Sequence, residues 1–324
     1  MQETPRLQHY VPQFLLKQFA AADGKLWAYD AEKQKMFRAG PKGLAAEGYF
    51  YGPTTAYATK QSTAIETWLA EEIESPGADA IAGILEKRKL TGQQASAFFR
   101  FVAAQMQRTP TSLQRAADLL APVFQESAER MAKHDPEFRK NVIARVKATG
   151  ATDTELAEFI QILDEGKFSV TPTRGFAIGS AFRVLELITN QLTKMCWTFL
   201  DVHPADSDLL LGDHPVTLAD VGPEGIPVEA LGIKNPNIEI ALPLSPRMVA
   251  LSHWDGPISY GQLMPGMAEM LNERTLSQIQ RFAYASFESI DLLKRAIALR
   301  GTGPKIQTRR VQIGGKLLMI TEYR

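Results

Sequence analysis

The chain has 324 residues, 45% hydrophobic and 22% charged, with 36 Lys plus Arg against 36 Asp plus Glu. That is enough apolar material for one large core or two smaller ones, and the zero balance gives no global electrostatic case for nucleic acid or an anionic membrane. A single cysteine, Cys196, excludes an intramolecular disulfide and a cysteine-based zinc site; residues 1–7 are polar and no apolar run reaches membrane-spanning length, so a soluble cytoplasmic protein without signal peptide or membrane association is expected.

The first informative stretch is His9-Tyr10-Val11-Pro12-Gln13-Phe14-Leu15-Leu16-Lys17-Gln18-Phe19. A titratable ring stands directly before a rigid apolar segment, which predicts a short helix or helix–strand mix. Pro12 is expected in its first turn, with Leu15, Leu16 and Phe19 on one face. Lys25-Leu26-Trp27-Ala28-Tyr29-Asp30 follows an Asp23-Gly24 turn with strand period, and Lys35-Met36-Phe37-Arg38 reads as its hairpin partner. Residues 44–52, with Tyr49, Phe50 and Tyr51, read as packed loop or strand.

From about 62 to 170 the pattern is helical. Ile65, Trp68, Leu69 and Ile73 recur at helix spacing, Pro76-Gly77 is expected to break the run, and Ile81, Ile84 and Leu85 resume it. Thr91 reads as the cap of a helix carrying Phe98, Phe101, Val102 and Met106, and Thr109-Pro110 as its end and the start of the next. Charged helices continue to about Gly150, with new starts at His134-Asp135-Pro136 and Thr152-Asp153-Thr154-Glu155. Residues 176–195 predict one further helix.

Strand texture then takes over at 197–200, 209–211, 238–240 and 248–251; residues 267–285 read as helix, and 311–313 with 317–320 as a terminal hairpin around Gly314-Gly315. The expected fold class is α+β: a helical middle section packed against a mostly C-terminal β-sheet, with a short N-terminal hairpin. We expect one composite domain over 1–324, divided into motif and hairpin (1–60), helical section (61–195) and strand-rich section (196–324).

Four places could carry chemistry. His9 can serve as acid, base or metal ligand near neutral pH, or sit as a hydrogen-bonded histidine at the mouth of a core segment. Leu209-Leu210-Leu211 runs into Gly212-Asp213-His214-Pro215, where Asp213 could orient a histidine, bind a metal or accept a proton, or merely bond a turn. Gln105 and Arg108 share a helix face, and an arginine ending a largely buried helix needs a carboxylate, helix carbonyls or an anionic ligand. Glu66, followed by Glu71, Glu72 and Glu74, could turn inward, and any of the four could pair with Arg108. Walker, GxGxxG, HExxH and GxSxG signatures are absent from the sequence.

The order of these pieces resembles the bacterial domain of unknown function 4238 family. The run from His9 to Phe19 matches its His-Tyr-Val-Pro-x-Phe-x-Leu-x-x-Phe motif, and Leu26 to Asp30 its Leu-Trp-x-Tyr-Asp strand. Ile65-Glu66, then Gln105-x-x-Arg108-Thr109-Pro110, Asp213-x-Pro215, 242–246, Leu271-Asn272 and Ala283-Tyr284 follow in order. Around the aspartate this chain departs, with Gly212 and His214 where the pattern commonly has Ser and Asn. The resemblance implies that His9, Gln105, Arg108 and Asp213 converge in space; it carries no established activity.

On this reading the expected function is hydrolysis of a phosphate ester or phosphodiester, in a nucleotide or RNA. His9, Asp213 and Arg108 would be catalytic, and Gln105, Tyr10, His214 and Glu66 would contact substrate. A divalent cation could sit among Asp213, Glu66 and His9, although no ligand spacing demands one. The alternative is a sensor or binding module for a small anion or a nucleotide, with the charged helices of 120–165 as a protein interface, in stress or phage defence. The oligomeric state has no sequence signal.

Overall fold

The computed structural model describes residues 7–48, 50–51, 59–222, 232–254, 259–304, 306–313 and 316–323, with backbone only for 59–63, 306–313 and 316–323. Leu7–His9 forms strand β1 and Gln13–Gln18 helix α1. Pro12 stands at the N-cap, one place before the expected first turn; its carbonyl accepts from the Leu15 and Leu16 amides, both at 3.1 Å. Leu15, Leu16 and Phe19 are fully buried, as the spacing predicts.

The hairpin is present as β2 (Leu26–Asp30) and β3 (Lys35–Ala39), but it does not stand alone. It forms one edge of a four-stranded sheet of order β3-β2-β11-β6, where β6 is Leu211–Gly212 and β11 is Phe282–Ala285. The expectation of helix from 267 to 285 is therefore corrected. Helix α10 covers Met267–Gln278, and Phe282–Ala285 is a central strand paired on both edges. Leu271, Leu276 and Ile279 carry helix spacing up to the turn, and pairing beyond it overrides any local preference. The expected strand at 209–211 joins the ladder only at Leu211: the Leu209 and Leu210 amides bond instead to Pro246 O and Asn272 Oδ1.

The helical middle comprises α2 (Thr59–Trp68), α3 (Ser75–Leu85), α4 (Gly92–Gln107), α5 (Pro110–His134), α6 (Pro136–Ala148) and α7 (Asp153–Glu165). Thr91 and Gln94 form a reciprocal capping box, Thr152 and Glu155 another, and Thr109 and Asp135 cap α5 and α6. Pro76-Gly77 does not break the run. A π-helical segment, Leu69–Glu74, joins α2 to α3 and places Pro76 in the first turn of α3, where a missing amide is tolerated. Gly77 is needed for close approach, since a Cβ there would lie 2.8 Å from Phe101 Cβ. The single helix expected over 176–195 is two, α8 (Arg174–Arg183) and α9 (Leu185–Leu192), with a turn at Val184. The break sets α8 against α5 and α9 against α4.

A second sheet has order β10-β5-β9-β8-β7, built from β5 (Cys196–Asp201), β7 (Thr217–Asp220), β8 (Ile238–Ser245), β9 (Met248–His253) and β10 (Ser259–Gln262). One face meets α1 and α4 in the main core, where Phe98 packs edge-to-face on Trp197 and Phe199. The other face, with Val249 and Leu251, is covered by Ala268 and Leu271 of α10. Helix α11 (Ile290–Leu299) had no sequence expectation; with α10 it covers the four-stranded sheet through Leu276, Leu292 and Leu293. The chain ends in the hairpin of β12 (Ile306–Ile313) and β13 (Lys316–Tyr323); its turn at Gly314-Gly315 lies outside the described residues, as does Tyr49. The fold is α+β, with helices in the middle, sheet mostly C-terminal and the N-terminal hairpin. Among the described residues no helix is long and apolar enough to cross a membrane.

Candidate functional site

The N-terminal motif is held as a strand edge. β1 pairs antiparallel with β4 (Ala46–Gly48), His9 opposite Ala46, and the Tyr10 amide donates to Ala45 O at 3.0 Å. His9 Nε2 lies 3.2 Å from Lys42 O. A carbonyl oxygen only accepts, so this nitrogen carries the proton and the neutral ring keeps its lone pair on Nδ1. Burial lowers the His9 pKa below the ordinary histidine value, against the raising pull of the Lys42 carbonyl and Glu74. The ring is neutral at pH 7.

Behind His9 the chain is bolted to α4. Tyr10 O accepts from Gln105 Nε2 at 2.7 Å and Arg108 Nε at 3.1 Å, and Arg108 Nε also lies 2.9 Å from Gln105 Oε1. Arg108 Nη1 donates to Glu74 Oε1 at 2.7 Å, which resolves the choice among four glutamates. Burial alone would pull the Arg108 pKa down; the Glu74 carboxylate beside it wins, and the net shift is upward. Arg108 is 1% exposed and Gln105 fully buried. The expected catalytic arginine and the expected substrate contact Gln105 therefore both face the protein, and Tyr10, another expected substrate contact, contributes a buried ring and a backbone carbonyl. An oxyanion clamp needs free N–H groups facing an opening; Arg108 Nε and Nη1 already bond the motif, Gln105 and Glu74, and Nη2, without a described partner, is buried away from solvent.

An open cleft of about 390 Å³ lies between the motif and the π segment. His9, Gln13 and Phe14 form one wall; Glu66, Leu69, Glu74 and Ser75 form the other, with Tyr51 between them. Tyr51 is fixed at both ends, its amide donating to Gln8 Oε1 at 2.8 Å and its hydroxyl to His9 O at 3.0 Å. Burial pushes the hydroxyl up to about 12. Gln8 Nε2 lies 3.5 Å from Glu66 Oε2, and burial, helped by the Glu74 charge, raises the Glu66 pKa. The cleft therefore holds a neutral imidazole, a carboxyl group with raised pKa and a second carboxylate pinned by a buried guanidinium.

Asp213 and His214 lie elsewhere. The Asp213 carboxylate accepts from three successive backbone amides, Gln280 at 2.9 Å, Arg281 at 2.7 Å and Phe282 at 2.8 Å, while its own amide donates to Phe282 O. It locks the turn between α10 and β11. Burial outweighs these bonds and pushes its pKa up to about 6. No hydrogen bond joins Asp213 to His9 among the described residues; its charge acts instead on the Tyr10 hydroxyl, helping burial to raise that group's pKa. The expected His9–Asp213 partnership is not made, because the carboxylate is enclosed by the turn it anchors. His214 Nδ1 lies 2.7 Å from Thr109 Oγ1, and its Nε2 is buried without a described partner. Burial, with the charge of Arg115, drives its pKa down to about 3.

The structure thus gathers His9, Glu66 and the Tyr10–Gln105–Arg108 bolt at one place and sets Asp213 in a neighbouring turn, where its charge reaches the Tyr10 hydroxyl and His214 bonds Thr109. Among the described residues no three His, Cys, Asp or Glu side chains gather closely enough to hold a metal ion. The sequence reading missed Gln8, Tyr51 and Ser75. Gln8 sits directly beside the motif, Tyr51 belongs to an aromatic cluster that reads as packing, and nothing local announces the π segment that brings Glu74 and Ser75 to the cleft.

A family model described as a protein of unknown function (DUF4238) matches residues 7–289, and the chain belongs to that family. Neither the curated proteins nor the solved structures include a match.

Proposed function

We propose that this member of a family without assigned activity is a hydrolase working at the cleft beside His9, by general acid–base chemistry. The observation that carries the reading is that His9 and Glu66, 57 positions apart, line one open cleft with pKa values displaced toward each other. A neutral imidazole takes a proton from attacking water, and a carboxyl group with raised pKa gives one to a leaving group. The π segment supports the same choice, because such segments recur where a side chain is set for function.

The bond opened is better sought among neutral esters, amides or glycosides than among phosphodiesters. Of the charged cleft-lining groups described, the Glu74 carboxylate repels a phosphate, and the nearby guanidinium is sealed behind it. The test is a panel of chromogenic esters, amides, glycosides and a phosphodiester, with wild type and His9→Gln. Turnover of a neutral substrate, lost in His9→Gln with folding intact, is the expected result. Turnover of the phosphodiester alone would overturn the substrate choice; no turnover of any class would overturn the hydrolase.

The second reading is a binding module using the same cleft. It is favoured by the described bonds of the His9 ring, which go to backbone groups at Lys42 and Pro41 and not to a nucleophile. Ligand-dependent protection of His9 without turnover would select it.

A further inference from the structure

A second cleft, of about 660 Å³, lies on the far side of the Thr109-Pro110 turn, between the first turns of α5 and the 300–304 turn that follows α11. Its volume is that of a small-molecule site. Two guanidinium groups from distant parts of the chain face it, Arg115 on α5 and Arg300 at the end of α11. Arg300 is held by its Nε bond to Gln280 O and by Glu32 at 3.2 Å, and its Nη1 takes no part in either. Arg115 Nη2 lies 3.4 Å from Pro304 O.

The cleft is built, not incidental. Gly301 adopts φ +70°, and at Gly303 a Cβ would lie 2.9 Å from both Gln278 Cγ and Ser277 O, so both glycines are needed for the turn to lie against α10 and hold Arg300 over the opening. Thr111 supplies a different signal. It lines the cleft, and its Oγ1 is buried with no hydrogen-bond partner among the described residues. A buried hydroxyl left without a partner is destabilising by roughly 1–3 kcal/mol unless something meets it. The first turn of α5 adds the positive end of a 25-residue helix.

Two carboxylates also border the opening. Glu32 is the Arg300 partner and its side chain is 52% exposed; Asp118 is exposed and accepts from Gln114 Nε2 at 2.7 Å. Both are exposed enough to swing into water, away from the opening.

We infer that this cleft binds a small molecule through a doubly charged oxyanion, a phosphate or a dicarboxylate, held between Arg115 and Arg300, with the Thr111 hydroxyl turning from its buried position toward the ligand to donate. The site is separate from the His9 cleft and does not depend on it. Arg300 lies beyond the residues matched by the family model, so the grip is assembled partly outside them.

Calorimetry and thermal unfolding with inorganic phosphate, adenosine monophosphate and succinate, each to about 10 mM, the weak end of measurable affinity, test this. Binding of one or more probes is expected, with phosphate-bearing probes and succinate telling the two oxyanion sources apart. Arg115→Gln should weaken it about tenfold or more, as loss of a charge-assisted pair does. Thr111→Val should weaken binding about fivefold while leaving the melting temperature of the free protein equal or higher, because it removes an unsatisfied hydroxyl. A purely structural threonine would lower the melting temperature and leave affinity alone. No binding of any probe, or binding unchanged in both variants, overturns the site.

Discussion

The His9 cleft and the Asp213 turn hold polar residues of the same sequence pattern, yet they make opposite uses of them. At Asp213 every described contact of the carboxylate is a backbone amide from one three-residue stretch, and the side chain is sealed. At His9 one ring nitrogen is tied to a backbone carbonyl while the ring lines an open cleft. A polar residue whose partners are all main-chain groups of one turn holds the chain. One anchored at a single atom beside an opening keeps a lone pair for chemistry. Arg108 stands between these cases: close to the cleft, but buried, with Nε and Nη1 joining the motif, α4 and the π segment.

The largest expected effect tests that middle case. Arg108→Ala leaves Glu74, Gln105 and Tyr10 O without their buried partner and should destabilise by roughly 3–5 kcal/mol in urea unfolding. Arg108→Lys should recover only part, since an ammonium cannot reproduce the fork. If Arg108→Ala unfolds like wild type but loses cleft activity, Arg108 belongs with His9 and the contrast fails.

Asp213→Ala comes next. Three buried amides lose their acceptor, and a loss of roughly 2–4 kcal/mol is expected, while any turnover at the cleft persists in the folded fraction. Loss of turnover with unchanged stability would place Asp213 in the machinery.

His214 sharpens the comparison through pH. Its folded pKa is depressed to about 3, so the stability it contributes is present above its unfolded value, about 6.5, and is lost as pH falls toward the folded one. Asp213, raised to about 6, runs the other way: its contribution is full below its unfolded value and is lost as pH rises through the folded one. His214→Gln removes one slope. Relative to wild type the variant should gain roughly 1.4 kcal/mol per pH unit as pH falls below about 6. A difference that does not vary between pH 5 and 7, the neighbourhood of an ordinary histidine pKa, would show that this ring titrates freely.

The smallest stability effect belongs to His9→Gln, within about 1 kcal/mol of wild type, because the amide can still donate to Lys42 O. Its mark should be kinetic. In wild type the acid limb of the rate profile should have its midpoint below the ordinary histidine value, and in the variant that limb should vanish with most of the activity.

Much of this was legible in the residues. The caps Thr91, Thr109, Asp135 and Thr152 announce their helices because a short oxygen-bearing side chain before an apolar period has few other uses. The N-terminal hairpin was visible in its period, and the identity of its neighbours was not: strand β11 hides behind helix spacing that ends only where Asp213 seizes the chain. Arg108 needed a carboxylate partner by burial alone, but choosing Glu74 over Glu66 required the π segment, whose extra residue per turn has no composition signal. The pattern residue Asn272 likewise holds chain, bonding Leu210 N and Asp208 O.

The four-stranded sheet has a consequence for how the chain is made. Asp30 on β2 is clamped to Arg281 beside β11, 251 positions later, at 2.9 Å and 2.6 Å. On a ribosome adding about 5–20 residues per second, the hairpin emerges early and waits roughly 12–50 s for the strand that completes its sheet. During that interval the inner edge of β2 is an unpaired strand flanked by apolar residues. Slowing translation downstream of residue 40 lengthens that exposure and should raise aggregation of the nascent chain before any variant of the finished protein shows a defect.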